Sequence, residues 1–311
     1  MTNPRISNLV IYPVKSCAGI EVAEATLTRG GLAVGDIRDH QYVVVSTDPE
    51  FVRANPKKGE YKEGLYYFLT QRDRRSKQDR SQGLSVMALI RPEITGDGLS
   101  LNFINRDDIS LPKENYGVLP IKIWDDVSQA VDQGPHVAEW LSDYLELSVR
   151  LVKASGPFAR RSRQDYVEND NPLGTQDAHP VHWFPIESVI ELSQRMGNDI
   201  SWRVFRPQVV VADMPAQYEH RIATGEIAGI PFIDPNPCYR CPVTMVDPKT
   251  GIVRKDGEPL KTLQTYKRWV KSETEKPVIF GENMLPLGEG IIRVGSQLTV
   301  SSLRDPPIEY S

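Results

Sequence analysis

The most constraining feature of this sequence is a long stretch, residues 72–124, in which short apolar segments alternate with turn residues. Examples are LSVMALI, LSLNFI, ISLP and LPIKIW, and no helical periodicity runs through the stretch. Many short strands without helices between them are typical of antiparallel barrels and sandwiches. A chain of 311 residues is also long enough to bury a large core without a disulfide or a structural metal.

Further strands are predicted on both sides of this stretch, from β-branched residues, from apolar–polar alternation and from flanking turns. They cover residues 5–12, 22–27, 41–46, 66–71 and 205–214, a hairpin over 244–253 with its turn at 247–251, and two strands about Gly295. The segment 47–65 carries prolines and glycines among charges and has no periodicity, which predicts an irregular insertion.

Helices are few in this sequence. Apolar residues at i, i+3 and i+4 spacing predict amphipathic helices over about 135–147, 186–196 and 259–270. Because strands dominate and the helices are scattered, we predict an α+β fold, with mainly antiparallel, barrel-like sheets and a few peripheral helices. A boundary just before the first helix predicts a barrel-like domain over 1–130 and a second domain over 131–311.

Charge and composition exclude several classes of protein. The net charge of −4 argues against a general nucleic-acid binder, and the basic runs at 72–80 and 160–163 are predicted to be solvated loops. No window approaches the roughly 18 apolar residues of a membrane span. The first residues resemble neither a signal peptide nor a transit segment, and three cysteines give no disulfide framework. We therefore predict a cytoplasmic protein.

The sharpest local motif is Cys238-Tyr239-Arg240-Cys241, which lies between two prolines. A redox-active dithiol would require a helix to follow, and the next residues are not helical in pattern. A zinc site could include His179 and His182, although their spacing is tighter than usual. The cysteines could also simply pack in the core. The last alternative is a thiolate that binds a soft metal, with the neighbouring arginine binding an anion.

Several cations occupy similar positions in the predicted fold. Lys15-Ser16, Arg72 and Arg206 each lie where a predicted strand gives way to a loop. A barrel would gather such ends at one mouth, where together with Arg240 they could bind a phosphorylated ligand. The sequence contains no dinucleotide fingerprint, P-loop, nucleophile elbow or HExxH motif. An oxidoreductase built on this chain would therefore take its electrons from elsewhere.

The order of the motifs resembles that of the MOSC family, in particular the two-part proteins similar to the mitochondrial amidoxime-reducing component. The matching segments run along nearly the whole chain, and seven matches in the family's order are far more specific than any single one. They are IYPVKSCAGIEV, GLAVGDIRDHQYVVV, FLTQR, AEWLSDYL, VFRPQVVV, CYRCPVTMVDPKTG and the tail EPLKTLQTYKRW with IFGEN and VGSQLTV.

The resemblance implies a molybdenum cofactor, a molybdenum–molybdopterin, with Cys241 as the protein ligand of the metal and Cys238 as a structural neighbour. It assigns Lys15, Ser16, Arg72 and Arg206 to the pterin phosphate or ring, and places Asp177 in the cofactor pocket. The candidate cofactor-binding residues are thus Lys15, Ser16, His40, Arg72, Asp177, His179, Arg206, Gln208, Tyr239, Arg240 and Thr244.

Three positions depart from the family's pattern. His40 stands where an arginine is usual, Gln208 replaces the asparagine after F-R-P, and His179 replaces a small hydroxyl residue. Imidazoles titrate near neutrality, so His40 and His179 are candidate catalytic groups beside Cys241, for proton delivery or substrate contact.

The predicted function is reduction of a small N-hydroxylated or N-oxygenated substrate. Electrons would come from a separate donor protein, similar to cytochrome b5 with its reductase or to a ferredoxin, because the sequence lacks a four-cysteine cluster. Two alternatives stay open: a carrier of cofactor or sulfur without turnover, and a binding protein held together by zinc.

Overall fold

The computed structural model describes residues 3–79, 83–104, 106–155, 159–162, 168, 170–269, 277–306 and 308–309. Its strands are β1 (Arg5–Ile11), β2 (Ile20–Val22), β3 (Glu24–Thr28), β4 (Gly31–Val34), β5 (Ile37–Arg38), β6 (Tyr42–Ser46), β7 (Tyr66–Phe68), β8 (Arg91–Thr95), β9 (Gly98–Asn102), β10 (Ile109–Ser110), β11 (Val118–Ile123), β12 (Asp126–Asp132), β13 (Arg150–Lys153), β14 (Val181–Pro185), β15 (Val209–Ala212), β16 (Ile222–Ile227), β17 (Ile230–Ile233), β18 (Pro237–Tyr239), β19 (Arg268–Trp269), β20 (Ile279–Pro286), β21 (Gly290–Arg293), β22 (Leu298–Leu303) and β23 (Ile308–Glu309).

Among the described residues there are four α-helices and five short 3₁₀ helices. The α-helices are α1 (Pro49–Ala54), α2 (Pro135–Leu145), α3 (Ile186–Met196) and α4 (Leu260–Tyr266), and the 3₁₀ helices span Pro56–Lys58, Ser85–Leu89, Trp202–Phe205, Tyr218–Arg221 and Pro242–Met245. No described helix combines the length and the apolar character needed to cross a membrane.

The sheets are mostly antiparallel. The largest has the order β2-β1-β15-β14-β20-β17-β16-β22, with β18 paired to β20, and a closed barrel is formed by β11, β12, β13, β6 and β7. Smaller sheets have the orders β21-β3-β4-β5, β10-β9-β8 and β19-β23. The predicted α+β class is therefore confirmed.

Strands from distant parts of the chain are neighbours in these sheets. β1 pairs with β15, where Leu9 lies opposite Val209, and β6 pairs with β13, where Val44 lies opposite Leu151. The loops after β1 and β5 also meet, because the backbone N–H of His40 donates to the Tyr12 carbonyl at 2.7 Å. The division into domains at residue 130 stays a prediction.

The predicted second helix is confirmed over Ile186–Met196, and Gly197 ends it with a φ of 69°, as a C-terminal glycine commonly does. The prediction for 47–65 was wrong in part. α1 begins there because Asp48 caps it, accepting hydrogen bonds from the backbone N–H groups of Glu50 and Phe51 at 2.7 and 3.4 Å.

Other local predictions need smaller corrections. The apolar segment 84–90 contains a 3₁₀ helix in place of a strand. The predicted hairpin over 244–253 keeps its turn, in which Gly251 N–H donates to the Asp247 carbonyl at 2.8 Å, but only the bridge between Val246 and Val253 joins its arms. The third helix ends at Tyr266; the last predicted residue, position 270, lies outside the described residues.

Candidate functional site

Lys15 and Asp177 meet at the centre of the candidate site. Lys15 follows β1, and its backbone N–H donates to the Tyr42 carbonyl at 2.8 Å, which ties this loop to β6. Its Nζ lies 2.6 Å from Oδ1 of Asp177. Burial lowers the pKa of Lys15, and the carboxylate of Asp177 opposes that shift. Two residues that were predicted from separate motifs therefore form an ion pair.

Asp177 borders the candidate cleft, by which we mean the region between Lys15, Asp177, Arg206 and Arg240. Surrounding protein disfavours its charge, but the ammonium of Lys15 and hydrogen bonds from Lys15 and Trp124 bring the pKa of the Asp177 carboxyl well below its usual range. Trp124 donates through Nε1 at 3.0 Å. Sixty-seven per cent of the Asp177 side chain nevertheless remains exposed. This carboxylate is thus ionised and accessible to a ligand.

Arg206 follows the 3₁₀ helix Trp202–Phe205, and its backbone has the left-handed conformation, with a φ of 54°. Its NH1 donates to the Cys17 carbonyl at 2.7 Å, and its guanidinium carbon lies 4.3 Å from the centre of the Tyr12 ring. Its NH2 is buried and has no hydrogen-bond partner within the described ranges. Such a donor is costly to bury unpaired, so it is available for a partner such as a ligand oxygen.

Arg240 is held beside the cysteine motif by three acceptors. Its NH2 donates to the Phe205 carbonyl at 2.8 Å, and its NH1 lies 2.9 Å from the Cys238 sulfur and 3.2 Å from Nε2 of His182. Burial raises the pKa of the Cys238 thiol, and Arg240 opposes that shift. The Nε of Arg240 is buried and lacks a partner in the part of the chain that the structure describes.

Cys241 follows β18 and begins the 3₁₀ helix Pro242–Met245, a single turn that the sequence pattern did not predict. Thr244 is fully buried, and its hydroxyl donates to the Cys241 carbonyl at 3.0 Å, so it fixes the turn. Tyr239 is exposed at the edge of the motif, with its ring 5.2 Å from that of Trp269. Cys241 itself is partly exposed as a residue.

His40, Asp39 and Gln208 form one connected group. Nδ1 of His40 lies 2.5 Å from Oδ2 of Asp39, and Nε2 of Gln208 donates to the same oxygen at 3.0 Å. Gln208 also accepts a hydrogen bond from the His182 backbone N–H at 2.8 Å. Gln208 is buried, and both of these hydrogen bonds join its side-chain amide to other protein groups. The site therefore includes Asp39, which the sequence reasoning did not single out.

The remaining predicted residues lie less directly in the cleft. Ser16 is buried in the left-handed conformation, and its carbonyl accepts a hydrogen bond from Nε2 of Gln71 at 2.6 Å. Arg72 is exposed, and no ion pair joins it to another described residue. His179 is buried, with Nδ1 2.8 Å from the hydroxyl of Ser162. The structure thus brings Lys15, Asp177, Arg206 and Arg240 together more clearly than these three.

Arg160 corrects the prediction of a solvated basic loop. Its side chain is buried, with Nε 2.8 Å from Oδ2 of Asp126 and NH1 donating to the carbonyls of Gly174 and Gln176 at 3.0 and 2.7 Å. It thereby holds the loop that carries Asp177, and its charge lowers the pKa of Lys15. Arg80 and Arg163, at the ends of the two basic runs, lie outside the described residues.

Lys58 was also missed, because it belongs to the segment that was predicted to be irregular. It is buried, its Nζ lies 2.9 Å from Oδ2 of Asp73, and the same Nζ lies 3.4 Å from the centre of the Phe68 ring. Lys15 approaches that ring at 5.7 Å. Lys58 ends the 3₁₀ helix Pro56–Lys58, which follows α1. The available signal that this segment is helical was Asp48-Pro49-Glu50, a capping residue before proline and glutamate.

The donor set fits an anionic group that carries a soft metal. Arg206 and Arg240 each have an unpaired buried nitrogen, and no carboxylate pairs with either guanidinium within the described ranges. Thiols of the neighbouring motif suit a soft metal. The described residues contain no group of three or more His, Cys, Asp or Glu side chains arranged to bind a metal.

Comparison with known proteins confirms the predicted resemblance to two-part MOSC proteins. Residues 3–60 match the family model of the MOSC N-terminal beta barrel domain. The chain is 28% identical to mitochondrial amidoxime-reducing component 1 of Danio rerio, over 93% of this chain and 82% of that protein. It is 26% identical to mitochondrial amidoxime-reducing component 1 of Homo sapiens, over 93% and 81% of the two chains.

Among solved structures, the YUAD protein from Bacillus subtilis aligns with 98% of this chain and 100% of its own, at 10% identity and a TM-score of 0.38. That agreement is too weak to support any argument about fold or function. The similarity along the sequence is what relates this chain to the amidoxime-reducing components.

Proposed function

We propose that this chain is a molybdenum-cofactor-dependent reductase of small N-hydroxylated or N-oxygenated molecules. Similarity to proteins that are named amidoxime-reducing components supports this function. The observation that carries it is the pair of guanidinium groups, Arg206 and Arg240, each with a buried nitrogen that has no hydrogen-bond partner among the described residues. Such donors bind the oxygens of a phosphate more strongly than neutral groups do.

In the proposed enzyme, the cysteine motif and the nearby cations hold the cofactor. The thiolate of Cys241 binds the metal, and Lys15, Arg206 and Arg240 bind the anionic part of the cofactor. Asp177 keeps Lys15 in place through the 2.6 Å contact. When it is bound, the cofactor supplies a metal that exchanges two electrons with the substrate.

The overall reaction is a two-electron, two-proton reduction of an N–O bond. An N-hydroxylated substrate accepts two electrons and two protons, its N–O bond breaks, and the amine or amidine leaves with one water. A separate iron–sulfur or haem protein, such as a ferredoxin or cytochrome b5 with its reductase, supplies the electrons. Partly exposed polar groups of the cleft deliver the protons.

Elemental analysis tests the metal site directly. We would purify the wild type, Cys241→Ala and the matched variant Cys238→Ala from a host that makes the molybdenum cofactor. Near-stoichiometric molybdenum is expected in the wild type, with most of it retained in Cys238→Ala and almost none in Cys241→Ala. Equal molybdenum content in all three proteins, or its absence from the wild type, would contradict the proposed ligand.

Turnover separates the reductase from the two alternatives. Reduced methyl viologen replaces the unknown donor, and a model amidoxime is the substrate. A reductase consumes the amidoxime in proportion to its molybdenum content. A carrier would hold molybdenum without turnover, and a zinc-stapled binding protein would contain zinc in place of molybdenum; either result would reject the proposed function.

A further inference from the structure

Asp39 is a buried carboxylate without a lysine or arginine partner among the described residues. Oδ1 accepts a hydrogen bond from the Tyr12 backbone N–H at 2.8 Å. Oδ2 receives Nε2 of Gln208 at 3.0 Å and lies 2.5 Å from Nδ1 of His40. Burial of a charge is costly unless hydrogen bonds compensate it. One of these donors is a backbone N–H and another belongs to the buried side chain of Gln208, so Asp39 is held rigidly toward the imidazole.

The backbone of His40 is fixed as firmly. Its φ of 49° is unusual for a residue with a side chain. Its N–H donates to the Tyr12 carbonyl at 2.7 Å, and its carbonyl accepts from both the N–H and the hydroxyl of Thr175, at 2.8 and 2.9 Å. Gly174 packs so closely that a Cβ there would lie 2.4 Å from this carbonyl. A strained conformation persists when its surroundings impose it, often at a functional site.

The other four histidines of the sequence are poorer proton donors to the cleft. His136 lies exposed on α2. His220 is fully buried in a cluster of charged side chains. His179 is buried, and its Nδ1 lies 2.8 Å from the Ser162 hydroxyl. His182 has both nitrogens engaged, Nδ1 3.2 Å from the Glu282 carbonyl and Nε2 3.2 Å from NH1 of Arg240.

His40 differs because it combines a carboxylate partner with access to the cleft. Its side chain keeps 14% of its surface exposed, and no described residue hydrogen-bonds its Nε2. The carbonyl of His40 accepts hydrogen bonds from Thr175, two residues before Asp177, so residue 40 lies against the loop that carries Asp177. An ionised carboxylate only accepts hydrogen bonds, so Nδ1 carries a hydrogen and Nε2 is the acceptor nitrogen of the neutral ring.

We infer that Asp39 is a positioning residue that holds His40 with Nε2 toward the cleft, and that His40 supplies one of the two protons of the reaction. This inference rests on the proposed function. When the N–O bond breaks, the imidazolium gives its Nε2 proton to the departing oxygen, and the neutral ring takes a proton from water. The second proton comes from solvent, and the electrons come from the separate donor protein.

The tautomer of His40 can be measured on the cofactor-free protein, whatever its activity. Protein labelled with ¹⁵N-histidine would be examined by NMR, and the signals that vanish in His40→Gly identify the ring. Neutral His40 is expected as the Nδ1–H form. In Asp39→Asn the amide can turn an N–H toward Nδ1, and we expect the Nε2–H form to appear. A wild-type ring that is predominantly protonated at Nε2 would overturn the inference.

Turnover tests the second half of the inference. Glycine is compatible with the positive φ of residue 40 and leaves space for a free imidazole. His40→Gly should keep its molybdenum, lose about 100-fold in kcat with little change in KM, and recover part of that loss when imidazole is added. The matched control, His136→Gln on the exposed face of α2, should match the wild type.

The outcomes separate this inference from the proposed function. A His40→Gly protein with full molybdenum and unchanged kcat would show that His40 is not the donor, while the reductase would stand. Loss of kcat without any imidazole rescue, at full molybdenum content, would assign His40 a structural role. A wild type without molybdenum or turnover would reject the reductase, while the NMR result would still decide whether Asp39 positions His40.

Discussion

Lys267→Met should destabilise the fold, because Lys267 belongs to a buried cluster of charged side chains. Lys267 is fully buried, its Nζ is 2.7 Å from Nε2 of His220, and the same Nζ is 3.8 Å from Oε1 of Glu219. Methionine keeps most of the volume of the stem but removes the ammonium. Glu282 keeps its ion pair with Arg304 at 2.8 Å, whereas Glu219 loses its lysine partner.

The magnitude follows from leaving one member of a buried ion pair without its partner. Such changes cost about 3–5 kcal/mol, and we expect about 3 kcal/mol because the Ser188 hydroxyl still donates to the Glu219 carboxylate, 3.1 and 3.2 Å from its two oxygens. Urea unfolding at pH 7.5, followed by circular dichroism, gives the free energy of unfolding directly.

The deficit should depend on pH. Burial raises the pKa of Glu219, and Lys267 opposes that shift, so the variant raises this pKa further. A carboxyl with a raised folded pKa is stabilising when protonated and loses that contribution as pH rises through the folded value. Burial, Lys267 and Arg304 also lower the pKa of His220, so the variant makes protonation of this ring easier. Both effects make the deficit larger at pH 8 than at pH 5.

The double variant Lys267→Met/Glu219→Gln is the matched control, because it removes both charges of the pair. Replacing both members of a buried pair is often nearly neutral, so most of the lost stability should return. A deficit below about 1 kcal/mol at pH 7.5, or one that is the same at pH 5 and pH 8, would refute this account of the cluster.

Three further changes test other parts of the structure. Lys15→Met removes the ammonium 2.6 Å from Asp177 and should lower the affinity for the cofactor roughly tenfold or more, measured as molybdenum retained after gel filtration; full retention would remove Lys15 from the site. Asp48→Ala removes the cap of α1 and should cost about 1 kcal/mol in urea unfolding, against near-zero for the exposed Lys57→Ala. Gly281→Ala should lower stability by more than about 1 kcal/mol, because its φ is 70° and a Cβ would lie 2.6 Å from the Trp183 carbonyl; unchanged thermal unfolding would show that the backbone relaxes there.

Local structure could be predicted where neighbouring residues specify it. α3 carries its apolar face and its terminal glycine within one short segment, so periodicity alone located it. α1 was missed because six residues are too few to establish a period, although Asp48 and Pro49 mark its start. The apolar segment 84–90 forms a 3₁₀ helix, since a short apolar run is compatible with more than one buried conformation.

The candidate site could be predicted as a set of residue types. The cysteine motif and the cations at strand ends indicated an anion and a soft metal, and only the resemblance supplied the identity of the metal. Arg160 was misassigned because nothing near it in the sequence indicates that the carbonyls of Gly174 and Gln176 surround its guanidinium. Asp39 was overlooked because its importance depends on Gln208, far along the chain.

The sequence by itself determined the α+β class, the main strands and helices, and the motifs that relate this chain to the MOSC proteins. Only the tertiary structure decided which charged groups share the cleft. Lys15 and Asp177 are 162 positions apart, and Arg206 is 189 positions from Cys17, whose carbonyl it binds. Such contacts depend on how distant strands pair, and local composition does not encode that pairing.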